Sequence, residues 1–246
     1  MVKLFEVLCR LLASERLDPV ILWGYQLLTH FGRLSEKQME DHLKQNRIAW
    51  EGRRSRCLSP AADGKVYLEY QTGLSEGRDA ADCVFGVHKR RPLTADYNSC
   101  EVIAVYNCLR FFGREADFPE LLGCFERNGA ALGGAFGTDP KSIRNYLMQL
   151  GFIVEKRGGR DLLQSLTSFE NRHAAFVLCM YNHPHSLENG MHTMCITKCG
   201  NGGFLLHNDY STYGRTVFRS LHEAIASYRD GNARALLLLG ITPSSE

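Results

Sequence analysis

Residues 174 to 208 hold three apolar runs of strand length: Ala174–Tyr181, His192–Lys198 and Phe204–Asn208. The last two are joined by Cys199-Gly200-Asn201-Gly202-Gly203, a hairpin-type connection. Strands linked so closely pair antiparallel. A fourth run, Ala233 to Leu239, follows the turn dipeptide Asp230-Gly231. A chain with this much apolar strand must cover a sheet, and the upstream pattern supplies helices to do so. The fold class that follows is α+β, with a mostly antiparallel sheet.

Helix punctuation is legible along most of the chain. Leu4, Val7, Leu8, Leu11 and Leu12 recur at helical spacing. Asp18-Pro19 caps and starts a second segment, Val20 to His30, which Gly32 ends. Ser35 with Gln38 forms a capping box for a third helix, Glu36 to about Gln45. Residues 51 to 64 are charged and broken by Gly and Pro, and read as a loop. Val66, Leu68 and Tyr70 alternate as a short strand. Residues 71 to 91, ending in the basic His88-Lys89-Arg90-Arg91 run, read as a solvated linker. Beyond Cys100 the apolar positions 102, 103, 105, 106 and 109 mark a helix ending at Gly113. Pro119 to Phe125 is another, and Asp139-Pro140 opens a third that closes at Gly151. Phe152, Val154 and Lys156 suit a strand, and Leu162 to Phe169 a helix. Ser220 and Glu223 box a last helix through Tyr228. The expected organisation is an N-terminal helical extension and linker over 1–90, and a domain over 91–246.

Composition narrows the function. The 246 residues carry 29 Lys+Arg against 27 Asp+Glu, so no large basic field points to nucleic acid or a membrane surface. No apolar run approaches the roughly 18 to 20 residues of a membrane span. The first 20 residues, interrupted by Lys3, Glu6 and Arg10, read as an amphipathic helix rather than a signal peptide. The expected location is cytoplasmic. Nine scattered cysteines, an odd number in a large chain, fit reduced thiols better than a disulfide framework. Cys195 and Cys199, near His183, His185 and His192, raise zinc. No second pair has zinc-ligand spacing, so no metal or other cofactor is expected.

The chemistry concentrates at Asp96-Tyr97-Asn98-Ser99-Cys100-Glu101. A cysteine stands where a polar loop becomes a helix, and helix N-terminal amides stabilise a thiolate, the nucleophilic form. Glu101 opposes this as a negative neighbour. A thiol nucleophile needs a base and an acceptor that orients it. His192 opens one expected strand and Asn208 closes the next, so antiparallel pairing places them at one end of the sheet. Asn208, or Asp209 in reserve, would accept from the His192 ring.

Four blocks carry a family resemblance. They are Asn98-Ser99-Cys100-Glu101 running to the Phe112-Gly113 pair, Gly137-Thr138-Asp139-Pro140 with its helix, Gly190-Met191-His192, and Phe204 to Asp209. Together they resemble the papain-like cysteine peptidases of the C39 and C39-like group, which includes bacterial double-glycine leader peptidases. The resemblance covers residues 96 to 239. It implies a papain-like fold with a nucleophile helix packed on the sheet. It also implies a catalytic set of Cys100, His192 and Asn208, acting on a peptide or protein substrate. The chain departs from the pattern in two places. Glu101-Val102 replaces the usual Gly-Pro, and Thr94 stands where an oxyanion-donating Gln is usual. Asn98 and the Cys100 main-chain N–H are the remaining oxyanion candidates.

The expected activity is hydrolysis of a peptide or amide bond through an acyl-thioester on Cys100. The same triad would serve an acyltransferase if an amine captured the acyl group. A binding protein that keeps the shell without catalysis is the alternative, and Glu101 beside the thiol is its support. Other residues have plainer readings. Cys195, three residues after His192 on a strand, faces the opposite side as core. His207 is structural. His183-Pro184-His185 is an exposed loop or a substrate lip, and Gly133-Gly134 a turn or a close backbone approach.

Overall fold

The computed structural model describes residues 18–75, 82–89, 91–158, 162–163, 166–181, 191–200, 202–228 and 234–244. Helix α1 (Asp18–Leu28) starts on the Asp18-Pro19 pair, and Gly32 with φ 69° turns the chain out of it. Helix α2 (Glu36–Cys57) has the expected capping box: the Gln38 N–H donates to Ser35 Oγ, and the Ser35 N–H to Gln38 Oε1.

Helix α2 does not stop near Gln45, and residues 51–57 are helix rather than loop. Its buried positions are Met39, His42, Asn46, Ala49, Arg53 and Cys57, a helical repeat written largely in polar residues. Each polar one has a partner. His42 Nδ1 meets Glu126 Oε1 at 2.7 Å. Asn46 donates to the Val84 carbonyl and accepts from the Val84 N–H. Arg53 donates to Gly73 O and Asp82 Oδ1. These bonds outweigh the roughly 1 kcal/mol cost of Gly52 inside a helix.

Strands β1 (Leu58–Pro60) and β2 (Val66–Leu68) form an antiparallel hairpin, followed by a 3-10 turn over Gln71–Leu74. The expected linker contains a second hairpin, β3 (Val84–His88) and β4 (Arg91–Thr94). Cys83, Val84 and Phe85 are buried, which is why this stretch is strand and not solvated chain. His88 and Lys89 sit exposed at the hairpin turn. One core cluster joins Ala49, Cys57, Leu68, Leu74, Cys83 and Phe85 to Val102, Phe118 and Val177. The described residues before position 90 thus share a core cluster with those that follow.

The short helix α3 (Ala95–Asn98) leads into α4 (Cys100–Phe111), which ends before Gly113. Helix α5 (Phe118–Asn128) is capped by Asp117, with Pro119 in its first turn. Helix α6 (Pro140–Gln149) is capped by Asp139. Between them the backbone of Gly133 and Gly134 lies so close to Gly86 that a Cβ there would meet Gly133 O at 2.2 Å.

The main sheet comprises β5 (Phe152–Gly158), β6 (Ala175–Tyr181), β7 (Met191–Lys198), β8 (Phe204–His207) and β9 (Arg234–Pro243). Helix α7 (Leu166–Arg172) starts later than expected, and α8 (Leu221–Tyr228) follows β8. The strand order is β5-β9-β6-β7-β8, and every neighbouring pair is antiparallel. Alternation sends Val177, Cys179, Cys195 and Leu237 to the face that packs with α4, α5 and α6. It sends Phe176, Leu178, Met194, Ile196 and Leu238 to the face under α7 and α8. This is the mixed helix-and-sheet architecture expected, with helices on both faces. Among the described residues no helix is long and apolar enough to cross a membrane.

Candidate functional site

Cys100 is the first residue of α4, reached through the turn of α3, and is 6% exposed. Its thiol donates to Glu101 Oε2 at 3.2 Å. The Thr193 main chain favours the charged form of Sγ. Strand β8 has no residue beyond His207 to pair with this stretch of β7. Burial, and then the Glu101 carboxyl, push the thiol pKa well up, against the pull of Thr193. Burial likewise raises the Glu101 carboxyl to about 7, although its own N–H, the thiol and the Thr138 N–H all favour its charged form.

His192 lies one residue before Thr193. Its ring shares a strand face with Met194 and Ile196, opposite the face on which Cys195 meets α4. It stacks on Tyr210 at 4.7 Å and on Tyr228 at 5.8 Å. Nε2 lies 2.6 Å from the Asn208 main-chain carbonyl. A carbonyl only accepts, so Nε2 carries the hydrogen, and the neutral ring presents Nδ1 as its lone pair. Burial holds His192 down to about 4, with the Asn208 carbonyl and the Asp209 carboxylate pulling it up.

The other expected site residues are placed differently. The Asn208 side chain does not orient the imidazole; it donates to Gln71 Oε1 at 2.9 Å, and its Oδ1 is buried without a partner. The cause is local. Asn208 has φ 59°, so the chain leaves β8 there with its carbonyl toward His192 and its amide toward Gln71. Asp209 makes no hydrogen bond to His192. It closes the turn that follows, accepting from the N–H groups of Ser211, Thr212 and Tyr213. Asn98 Nδ2, expected to serve an oxyanion, donates to Phe85 O and Gly134 O. The Cys100 main-chain N–H is the donor that remains.

His192 and Asn208 thus meet at one end of the sheet, while the thiol of Cys100 is held by Glu101 and no hydrogen bond joins it to the imidazole. Cys195 is core and Cys199 lies past the end of β7. His183, His185 and Gly190 lie outside the described residues. His207 is structural: its Nδ1 meets Glu69 Oε1 at 2.5 Å and its Nε2 meets Thr197 Oγ1 at 2.9 Å. Glu69 also accepts from the Asn208 N–H at 2.8 Å, which holds the turn that positions His192. Sequence reasoning missed Glu69, Gln71, Thr193 and Tyr210. The first two reach Asn208 across 139 and 137 residues, and no local pattern reports such pairs.

The two shifts predict opposite pH trends. His192 is depressed from 6.5 to about 4, so its contribution to stability is complete above 6.5 and is lost as pH falls toward 4. Glu101 is raised from 4.5 to about 7, so its contribution is complete below 4.5 and is lost as pH rises through 7. Glu101→Gln is therefore expected to gain stability relative to the parent as pH rises from 5 to 8. Urea midpoints across that range check it, and a constant difference would contradict the raised carboxyl.

No family model matches this sequence, and no curated protein matches it. Among solved structures, the chain is similar to the peptidase domain of Streptococcus ComA, a bi-functional ABC transporter involved in a quorum-sensing pathway. The two share 15% identity with a TM-score of 0.39, over 65% of this chain and 97% of that one.

Proposed function

We propose that the chain is a thiol hydrolase of peptide or amide bonds on a papain-like plan, with Cys100 as nucleophile and His192 as base. The observation that carries this reading is the state of His192. Its Nε2–H is committed to the Asn208 carbonyl, so Nδ1 is the basic nitrogen of the neutral ring. In the reaction Nδ1 takes the Cys100 proton as the thiolate attacks the substrate carbonyl. The Cys100 main-chain N–H faces the developing oxyanion. The imidazolium then protonates the leaving amine, and water, deprotonated by the same nitrogen, releases the acid from the acyl-thioester. An amine in place of water would give acyl transfer. The cycle requires the thiol to exchange Glu101 for His192.

A second reading rests on that same requirement. The thiol hydrogen lies on Glu101, and this favours a peptide- or protein-binding shell without turnover. Alkylation with iodoacetamide between pH 5 and 7, with peptide mapping, separates the two. For a hydrolase, Cys100 reacts faster than the other eight cysteines and slows in His192→Ala. Glu101→Gln then speeds it several-fold, since removing the carboxylate lowers the thiol pKa. Cys100 reacting like the buried thiols, with no response to His192→Ala, would leave only the binding reading.

A further inference from the structure

Helix α1 is anchored at both ends. Asp18, its first residue, forms an ion pair with Arg234, which stands opposite Tyr181 at the end of the sheet. At its other end the Leu28 carbonyl accepts from the Leu132 N–H at 2.9 Å. Leu132 belongs to the loop that closes on Gly137, whose Cβ position lies 3.2 Å from Glu101 Oε1. The first anchor thus lies at the strand end where Tyr181 pairs with Met191, next to His192, and the second on the loop that reaches Glu101. Tyr25, in the middle of the helix, is half-buried, and burial, then the Glu101 and Cys100 charges, push its hydroxyl pKa up.

The helix is held weakly for an element in this position. Asp18 is its only fully buried residue, and Ile21, Leu22, Tyr25 and Leu28 are half-buried. Val20, Trp23 and Leu27 are exposed on its outer side. An element with few buried apolar contacts opens at low free-energy cost while the body stays folded.

We infer that α1 is a displaceable strap across the thiol centre, and that a substrate or partner reaches Cys100 only when the strap lifts. The inference deepens the hydrolase reading by naming the regulation of its site. Its test reads access rather than turnover, so the two can fail separately.

The experiment uses the full chain and its Asp18→Ala and Tyr25→Ala variants. Each is treated with a polyethylene-glycol maleimide, and the modified cysteines are mapped with time. Either variant is expected to raise the Cys100 modification rate by about tenfold or more, while Cys57 and Cys108, both buried in the core, stay unmodified. Unchanged Cys100 rates in variants that retain the parent's melting transition would overturn the strap. So would Cys57 and Cys108 reacting in step with Cys100, which marks opening of the whole body. Faster Cys100 modification without turnover upholds the strap and counts against the hydrolase.

Discussion

Cys100→Ala is expected to abolish labelling by a peptide aldehyde or epoxide and to reduce peptide hydrolysis by roughly 10^4-fold or more, because members of a nucleophile–base set act as a unit. His192→Ala should cost about 10^2 to 10^4-fold, the range of general acid–base catalysis. The informative member is Asn208. A side-chain orienter would be lost with the side chain. Here the acceptor is the main-chain carbonyl, which any residue supplies. Asn208→Gly, which also adopts the observed positive φ without strain, is therefore expected to retain activity within about tenfold. Initial rates with a fluorogenic peptide, beside probe labelling, measure all three. A loss in Asn208→Gly as large as in His192→Ala would mean that the amide orients the ring during turnover. Labelling that persists in Cys100→Ala would remove the nucleophile assignment.

The largest stability effect is expected at Glu69. It is fully buried and accepts from both His207 Nδ1 and the Asn208 N–H. Glu69→Ala strands two buried donors and is expected to cost roughly 3 to 5 kcal/mol, the size of breaking a buried pair from one side. Glu69→Gln keeps one acceptor oxygen and should cost less. Urea denaturation followed by far-UV circular dichroism gives both values. A loss below about 1 kcal/mol in Glu69→Ala would show that water or a side-chain shift satisfies His207 and Asn208. Because the same carboxylate pins the Asn208 turn, the variant should also loosen the hold on His192. Its Cys100 would then lose any response of alkylation rate to His192.

Local chemistry accounts for what sequence could reveal. Ser35 with Gln38, Asp117 with Pro119, and Asp139 with Pro140 each start a helix where the sequence predicts one. Strands β6, β7 and β8 lie where the apolar runs lie, since both faces of this part of the sheet are covered and continuous apolar residues satisfy them. The placement of Cys100 at a helix start, and of His192 and Asn208 at neighbouring strand ends, was likewise readable from spacing.

Tertiary structure decided the rest, for one physical reason: the deciding partners are distant in sequence and polar. Helix α2 runs on to Cys57 because Asn46 and Arg53 find acceptors in residues 73 to 84, which no hydrophobic period reports. The stretch before position 90 joins the core because Phe85 and Leu74 find neighbours far along the chain. At the site, sequence alone determined that Cys100 starts a helix and that His192 and Asn208 stand at neighbouring strand ends. Only the fold decided that Asn208 offers His192 a carbonyl and not an amide, and that the Cys100 thiol points to Glu101, because backbone φ at one residue and burial of one carboxylate set those directions.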